Sequence, residues 1–346
     1  MPELVLSAVI ACYKDAPAIP LMHAGLSEVF GSLGVGYEII FVNDGSPDDA
    51  AAVLERLAAT DPHVIAIEHS RNFGSQNAFV SGMQVATGDA VILLDGDLQD
   101  PPALIAEFYA KWRQGHDVVY GRRGRREGSA FLALCCRAFY RLFRRTSSVP
   151  MPLDAGDFSL MDRKVVSALL ALPETEQFLR GLRAWVGFDQ VGVDYVRPER
   201  RFGRSTHSWL ANVWWAKKGI FSFTFAPIEL FGYLAAALTT LSVLAGVQQA
   251  VDIVRYPERP HGTSLIVVFI AFFGSLNLLA IAIIGEYLSK VFEEVKGRPK
   301  FIRKSIRRGQ KLFHAGEEVE EFVRDCARSA AARRLRSTQP DAPHED

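Results

Sequence analysis

The chain has 346 residues, and its 39 basic and 39 acidic side chains give a formal net charge of zero at pH 7. This balance argues against a nucleic-acid-binding protein, because neutralising phosphates needs an excess of lysine and arginine. Charged residues make up 23% and aromatic residues 11%, a composition that excludes wholesale disorder. The four cysteines (12, 135, 136 and 326) lack zinc-ligand spacing and are predicted to be reduced thiols.

The first 120 residues alternate short β-branched runs with longer amphipathic stretches. The predicted strands are 5–11, 37–43, 64–68, 90–94 and 117–120, and the predicted helices are 18–32, 48–59, 75–86 and 102–114. Strands separated by helices of this length predict right-handed crossovers and a parallel sheet covered on both faces. Since ligands of such sheets bind at the carboxyl ends of the strands, the loops after the strands are the candidate sites.

The strongest local signal follows the fourth predicted strand, where Asp95 and Asp97 flank a glycine after the apolar run AVILL. Two carboxylates one residue apart at a strand end can share a hard divalent cation, which then binds a diphosphate. An isolated D-x-D pair is more often a solvated acidic turn. Three other polar loops at the same sheet edge make that alternative weaker here.

Two of those loops carry further candidates. After the second strand, Asp44 is placed to accept a hydrogen bond from a base N–H or a ribose hydroxyl, and Gly45 lets a ligand approach the backbone. A helix N-cap at Ser46 or Asp48 is the structural alternative, and both interpretations can hold together. After the third strand, Arg71 is placed to meet an anionic ligand, although a surface arginine is the simpler interpretation.

Two long apolar segments follow, residues 230–251 and 262–285, neither of which contains a charged side chain. At about 1.5 Å per residue, each exceeds the roughly 30 Å hydrocarbon core of a bilayer. The short connector 252–261 makes the two predicted spans a hairpin. Lysines and arginines flank the pair, which by the positive-inside rule places both termini in the cytoplasm. The alternative is a pair of buried core helices.

Two further stretches, 129–145 and 208–223, combine basic residues with bulky aromatic ones and are typical of helices at a membrane interface. For 129–145, an amphipathic helix packed on the sheet is an equal alternative. The predicted organisation is a cytoplasmic domain (1–207), an interfacial segment (208–227), two transmembrane helices (228–290), and a basic juxtamembrane segment with a tail (291–346).

Ordered motifs are spread along most of the chain: VIACYKD, FVNDGSPDD, SRNFG, LLDGDLQDPP, DVVYGRR, AGDFSLMDR, FLRGLRAWVGF and IIGEYLSKVFEEVKGRP. From about residue 6 to residue 299, they resemble the family-2 glycosyltransferases of GT-A fold. Within these, they resemble the polyprenyl-phosphate group, which contains dolichyl-phosphate mannose synthase and bactoprenol glucosyltransferase. The resemblance implies a GT-A, Rossmann-like α/β domain with a mostly parallel sheet.

The resemblance also assigns roles to individual residues. A nucleotide-sugar pocket is implied for Ala11, Tyr13, Asp15, Asp44, Arg71 and Asp95. Asp95, Asp97 and Gln99 are implied to hold Mg²⁺ or Mn²⁺. The implied catalytic residues are Asp97 and, on the acceptor side, Asp157. Contacts to the lipid phosphate or the leaving diphosphate are implied for Arg122, Arg126, Arg200, Arg204 and Ser205.

The implied reaction is inverting transfer of a hexose from a nucleotide sugar to polyprenyl phosphate, such as undecaprenyl phosphate, at the cytoplasmic face of the inner membrane. Glucose from UDP-glucose is the expected donor, with N-acetylglucosamine, galactose, mannose or aminoarabinose as alternatives. A homo-oligomer, for example a tetramer, is also implied. Because a phosphomonoester has a second pKa of about 6, the nucleophile is mostly ionised, and Asp157 is expected to orient a substrate more than to remove a proton.

Two rival functions make different predictions. A processive polysaccharide synthase needs a Q-x-x-R-W motif and more spans, whereas here Gln177 and Arg180 are followed by glycine. A catalytically silent membrane scaffold needs no intact metal loop. Metal-dependent binding of a nucleotide sugar separates the scaffold from the enzyme.

Overall fold

A computed structural model describes residues 4–123, 155–175, 177–196, 226–255 and 263–337. The chain divides into two compact units, one built on a β-sheet and one containing two long helices. The strands are β1 (Val5–Cys12), β2 (Gly36–Asn43), β3 (Val64–His69), β4 (Ala90–Asp95), β5 (Val118–Arg123), β6 (Ala155–Asp162), β7 (Gln190–Tyr195), β8 (Arg303–Arg308) and β9 (Lys311–His314).

Helices separate most of these strands. They are α1 (Ile19–Leu33), α2 (Ala50–Thr60), α3 (Ser75–Val85), α4 (Ile105–Arg113), α5 (Arg163–Leu170), α6 (Leu179–Trp185), α7 (Ala226–Arg255), α8 (Thr263–Lys296) and α9 (Glu317–Ser337). The predicted alternation of strands and helices over the first 120 residues is therefore confirmed.

The sheet has the order β7-β5-β6-β4-β1-β2-β3-β8-β9 among the described strands. Its centre is parallel, since β1 pairs with β2 and β4, and β2 pairs with β3, all in parallel. However, β6 runs antiparallel to both of its neighbours, and so does β8. The sheet is thus mixed, and the prediction that it is mostly parallel was wrong. Strand direction depends on how the chain re-enters the sheet, which the local alternation does not encode.

The core explains why the central strands read as continuous apolar runs. Strand β1 is buried from Leu6 to Cys12, because helices cover both faces of the parallel part of the sheet. Helix α1 buries Ile19, Met22, Leu26 and Phe30, at the spacing of three or four residues that one helical face requires. This packing fixes the strand ends at which the candidate residues lie.

The C-terminal region departs from the predicted tail at 291–346. Strand β8 pairs antiparallel with β3, which adds the β8–β9 hairpin to the edge of the sheet. Residue Ile306 is the buried side chain of the sequence RKSIRR that forms β8. An edge strand that buries so little carries almost no hydrophobic signal, so the local sequence does not distinguish it from a tail.

The second unit contains α7 and α8, within which both predicted spans lie, apart from residue 262, which is outside the described residues. Large apolar side chains such as Leu244 and Leu278 are exposed on them. Of the described part of the chain, one stretch, Phe272–Lys296, is long and apolar enough by itself to cross a membrane. The two-span hairpin stays a prediction. The predicted interfacial helices at 129–145 and 208–223 lie outside the described residues.

Candidate active site

The loops after β1, β2, β3 and β4, here called the loop cluster (residues 13–18, 44–49, 70–74 and 96–100), meet at one edge of the sheet. Strand β1 pairs Cys12 with Asn43 and Ala11 with Asp95. Beyond these pairs, the Asp44 N–H donates to the Cys12 carbonyl at 3.0 Å. The predicted convergence of these polar loops is a feature of the described structure.

The first and second loops are joined by side-chain hydrogen bonds to backbone N–H groups. Lys14, which has a left-handed φ of 62°, donates its N–H to Ser46 Oγ at 2.8 Å, and Ala16 donates to Asp48 Oδ2 at 3.0 Å. Asp48 Oδ1 also accepts from Ala50 at the start of α2. Burial raises the pKa of Asp48, but these hydrogen bonds outweigh it and leave the pKa lowered. The N-cap of α2 is Asp49 and not Ser46 or Asp48, although the Asp48 carboxylate accepts from the first N–H of the helix.

Asp15 and Tyr13 lie in the same first loop. The Tyr13 N–H donates to Asp15 Oδ2 at 3.2 Å, and the Asp15 carbonyl accepts from Ala18 ahead of α1. Asp15 is buried, so its carboxylate faces the interior of the loop cluster and not bulk solvent. Ala11, at the end of β1, is also buried.

Asp44 has a different environment from the one the sequence predicts. Its carboxylate, only 2% exposed, accepts hydrogen bonds from His69 Nδ1 (2.8 Å), the Phe73 N–H (2.9 Å) and the Gly74 N–H (2.7 Å). It therefore fastens the second loop to the third. A carboxylate has about four lone-pair sites, so the predicted nucleotide contact needs the remaining one.

Gly45 shows how closely these two loops pack. Its φ is +62°, and a Cβ there would lie 2.4 Å from the Arg71 carbonyl carbon, so no other residue fits without displacement. Arg71 itself is exposed, with its guanidinium 4.1 Å from the centre of the Phe73 ring and Nη1 donating to the Asn72 carbonyl. The side chain is thus held at the rim of the loop cluster.

The acidic loop after β4 packs against the first loop. Gly96 donates its N–H to the Ala11 carbonyl at 2.9 Å, and a Cβ at Gly96 would lie 3.2 Å from Asp15 Oδ2. Asp97 is 3% exposed and accepts from the Gln99 N–H at 3.1 Å, across a Leu98 with φ +60°. The D-x-D loop therefore packs through its glycine against the first loop and the Asp15 carboxylate.

The negative charge around the D-x-D loop and the first loop favours a bound cation. Burial, followed by the charges of Asp15, Asp48 and Asp95, raises the pKa of the Cys12 thiol well above its usual value. Within the described residues, no group of three His, Cys, Asp or Glu side chains has the arrangement of a complete metal site. The available oxygen donors, two carboxylates and the Gln99 amide, are the type that Mg²⁺ and Mn²⁺ prefer.

The acceptor-side candidate, Asp157, reaches the same edge from β6. Since β6 pairs Ser159 with Leu93, Asp157 lies two residues beyond that pair, as Asp95 does on β4. Its carboxylate, 7% exposed, receives a two-pronged ion pair from Arg180, with Nε to Oδ1 at 2.9 Å and Nη2 to Oδ2 at 2.8 Å. This partner fixes both carboxylate oxygens.

Sequence reasoning assigned no role to Arg180 or its neighbour Arg183, although both lie in the motif FLRGLRAWVGF. Arg183 is buried, donates to the Gly156 carbonyl at 3.3 Å, and lies 5.2 Å from the Tyr120 ring centre. Burial lowers the pKa of Arg183 to about 10, which leaves it charged at neutral pH. The sequence signal that could have identified them is the spacing of three residues, which places two arginines on one helical face.

The other predicted acceptor residues are only partly described. Arg122, on β5, forms an exposed two-pronged ion pair with Asp194 on the neighbouring β7, with Nη2 to Oδ2 at 2.7 Å. Its guanidinium therefore has a carboxylate partner in the structure. Arg122, Arg180 and Arg183, with Asp157 and Asp194, are called the arginine cluster below. Arg126, Arg200, Arg204 and Ser205 lie outside the described residues.

Comparison with known proteins places these features in a family. Residues 7–170 match the family model described as glycosyl transferase family 2. The chain is 38% identical to an uncharacterized glycosyltransferase of Synechocystis over 298 residues, which are 86% of this chain and 94% of that protein. It is 35% identical to a prophage-derived bactoprenol glucosyl transferase of Shigella flexneri over 307 residues, 88% of this chain and 99% of that protein.

Solved structures give more distant similarities. A mannosyltransferase from Pyrobaculum calidifontis, in complex with GDP-Man and Mn²⁺, is 17% identical with a TM-score of 0.45, over 83% of this chain and 88% of that one. A Mycobacterium tuberculosis glucosyl-3-phosphoglycerate synthase, in complex with Mn²⁺, UDP-glucose and phosphoglyceric acid, is 17% identical with a TM-score of 0.42, over 59% and 74% of the two chains.

Proposed function

Since the chain belongs to glycosyl transferase family 2 and is a glycosyltransferase, we propose that it moves a hexose from a nucleotide sugar to polyprenyl phosphate with inversion at the anomeric carbon. Relatives named bactoprenol glucosyl transferase that align over nearly their whole length support this acceptor. They also support glucose, which we propose is donated by UDP-glucose. N-acetylglucosamine, galactose, mannose or an aminoarabinose are the alternative sugars.

One observation carries the proposal: a buried acidic corner lies at the same sheet edge as a carboxylate clamped by arginine. Asp95 and Asp97 pack against the first loop, whereas Asp157 is held by Arg180 two residues beyond the last β4–β6 pair. A transferase for two phosphate-bearing substrates needs both parts. One end must balance the charge of a diphosphate, and the other must orient a phosphate nucleophile.

The residues that would hold Mg²⁺ or Mn²⁺ are Asp95, Asp97 and Gln99. When bound, such an ion neutralises the charge that develops on the departing diphosphate, the largest electrostatic requirement of the transfer. Asp97 and the nearby Asp15 are buried, and an ion pair is stronger where access to water is limited. The proposed nucleotide contacts come from Ala11, Tyr13, Asp15, Asp44 and Arg71.

On the acceptor side, the phosphate oxygen attacks the anomeric carbon as the bond to the diphosphate breaks. A phosphomonoester is mostly ionised at neutral pH, so no strong base is needed. Because both Asp157 oxygens accept hydrogen bonds from Arg180, we propose that Asp157 orients a substrate. Arg122, Arg126, Arg200, Arg204 and Ser205 are proposed to contact the lipid phosphate or the leaving diphosphate.

The lipid acceptor requires a membrane location. We propose that α7 and α8 form the predicted hairpin in the inner membrane, with the sheet domain and both termini on the cytoplasmic side. The apolar stretch Phe272–Lys296 supports the membrane association. A site held at that surface meets its acceptor in two dimensions, which raises the effective concentration. We also propose a homo-oligomer, for example a tetramer.

The test is a transfer assay on the full chain in lipid, with undecaprenyl phosphate, Mn²⁺ or Mg²⁺, and separate labelled nucleotide sugars. We expect one donor, UDP-glucose, to give a labelled product that partitions into organic solvent and is lost with EDTA. The matched control is Asp97→Asn, which should give no product. Transfer from another sugar nucleotide would change the donor, and no product from any donor in folded protein would favour the scaffold.

A further inference from the structure

The C-terminal chain contacts the loop cluster through one aromatic ring. Phe301 lies between the end of α8 and the start of β8, and its ring stacks on His69 with centroids 5.3 Å apart and planes 8° from parallel. The backbone beside it is also fixed, since Ser70 donates its N–H to the Ile302 carbonyl at 3.0 Å. The Arg303 guanidinium lies 4.8 Å from the centre of the same ring.

His69 connects Phe301 to the second and third loops of the loop cluster. Its side chain is fully buried, and Nδ1 lies 2.8 Å from Asp44 Oδ1. An ionised carboxylate only accepts hydrogen bonds, so the ring carries a proton on Nδ1. Nε2 has no hydrogen-bond partner among the described residues. The polar contact of the ring is therefore directed at Asp44.

The same histidine also contacts the third loop. Its ring meets Phe73 edge-on, with centroids 5.7 Å apart and planes at 85°. The Phe73 ring also contacts Arg71, whose guanidinium lies 4.1 Å from the ring centre. A continuous stack, called the aromatic stack, thus runs from Phe301 through His69 and Phe73 to Arg71.

The Phe301 end of the aromatic stack is anchored to helix α3 through Arg303. Arg303 donates from Nε to Ser81 Oγ at 3.0 Å and from Nη2 to Gln84 Oε1 at 2.7 Å, both on α3. Burial lowers the pKa of Arg303 to about 10, so it stays charged at neutral pH. Since α3 begins directly after Gly74, one anchor holds both the C-terminal chain and the helix that follows the third loop.

We propose that His69 and Phe301 are positioning residues, which hold Asp44 and Arg71 in the arrangement that binds the donor nucleotide. The donor itself rests on the proposed function. Loops that are ordered before binding lose less conformational entropy when the ligand arrives, so they bind it more tightly. Loss of the aromatic stack should therefore weaken nucleotide binding and leave the chemical step nearly unchanged.

The first test needs no ligand. Amide hydrogen exchange is measured on the full chain in lipid for Phe301→Leu and His69→Phe. We expect both variants to speed exchange in residues 70–75 by about tenfold, because the Phe73 and Gly74 N–H groups are bonded to Asp44. The matched control is Phe313→Leu, since the Phe313 ring packs against Phe322 in the same C-terminal region, with centroids 4.7 Å apart and planes at 40°. Unchanged exchange in both test variants, or an equal increase in the control, overturns the proposal.

The second test measures binding of UDP with Mn²⁺ by calorimetry, together with steady-state transfer. Phe301→Leu should raise the Kd of UDP and the donor KM by about tenfold, with kcat within about twofold of wild type. Phe301→Tyr keeps the ring and should restore both values. If wild type does not bind UDP while Phe301→Leu and His69→Phe still exchange faster in residues 70–75 than Phe313→Leu does, the proposed donor is wrong and the positioning role stands. If binding falls equally in Phe301→Leu and Phe313→Leu, the positioning role fails.

Discussion

The loop cluster and the arginine cluster occupy one edge of the same sheet, but they are built differently. Loops of the first cluster are joined by hydrogen bonds to backbone N–H groups, such as the two part-buried ones that Asp44 accepts from Phe73 and Gly74. The second cluster relies on arginine–carboxylate pairs that are partly open to solvent, with Arg180 35% and Arg122 48% exposed. Hydrogen bonds to backbone N–H groups fix the shape of the loops, whereas ion pairs whose arginines are partly exposed leave those arginines accessible to another anion.

This difference matches the proposed substrates. A rigid corner suits a nucleotide diphosphate that must be held in one geometry. Exchangeable ion pairs suit a lipid phosphate that competes with Asp157 or Asp194 for an arginine. Substitutions in the two clusters should therefore differ in kind, those in the loop cluster affecting the nucleotide and those in the arginine cluster affecting the lipid phosphate.

The largest contrast is between Asp97 and Asp157. We expect Asp97→Asn to lower turnover by about a thousandfold or more, because it removes a carboxylate from the proposed metal loop. Asp157→Asn should keep measurable activity, since an amide oxygen can still accept from Arg180 and the nucleophile is already ionised. Turnover in the lipid assay decides this. Equal and complete loss in both folded variants would end the distinction between the clusters.

Rigidity of the loop cluster is tested at Gly45. Gly45→Ala combines a left-handed φ of +62° with a Cβ 2.4 Å from the Arg71 carbonyl carbon. We expect it to lower the free energy of unfolding by about 2–4 kcal/mol, from backbone strain and steric overlap together. Gly34→Ala is the control, because its φ is also +62° but its Cβ would meet nothing within 4 Å. Unfolding curves that shift equally for both would show that the loops do not pack tightly.

Replacing Arg180 tests what the ion pairs of the arginine cluster contribute to turnover. Arg180→Gln should lower kcat by about tenfold with the donor KM unchanged, because Asp157 then loses the partner that fixes both of its oxygens. Asp194→Asn removes the carboxylate from the more exposed pair and should change kcat by less than about twofold. A rise in donor KM without a fall in kcat for Arg180→Gln would assign Arg180 to the nucleotide instead.

The smallest effect concerns Asp48 and acid stability. Hydrogen bonds lower its folded-state pKa below the usual 3.8, so its contribution is present above that value and is lost as the pH falls through the folded-state pKa. We expect Asp48→Asn to lower the free energy of unfolding at pH 7 by less than about 1 kcal/mol. The difference from wild type should shrink toward pH 3 in a series of unfolding curves. A difference that does not depend on pH would contradict this.

Several features could be predicted from local sequence. The five strands between Val5 and Arg123 were predicted because apolar β-branched runs ended by polar turns determine buried strands. The convergence of the acidic loop with the loops after β1 and β2 follows from parallel strands, whose carboxyl ends share an edge. Asp95 and Asp97 could therefore be chosen without coordinates, whereas Asp157 was implied only by the resemblance to the family-2 glycosyltransferases.

Other features depend on contacts between distant parts of the chain. The Arg180 partner of Asp157 is 23 residues away, and the His69 partner of Asp44 is 25 residues away. Neither spacing corresponds to a helix or strand period. Strand β8 joins β3 across more than 200 residues, and its charged sequence has almost no apolar pattern to announce it.

The α/β fold class, the acidic loop and the two long apolar helices could be predicted, because each depends on local periodicity or composition. The mixed strand directions, the arginine that clamps Asp157 and the contact of Phe301 with His69 became visible only in the folded chain. Those features come from the packing of segments far apart in the chain, and no local pattern in a single sequence indicates which distant segments will pack together.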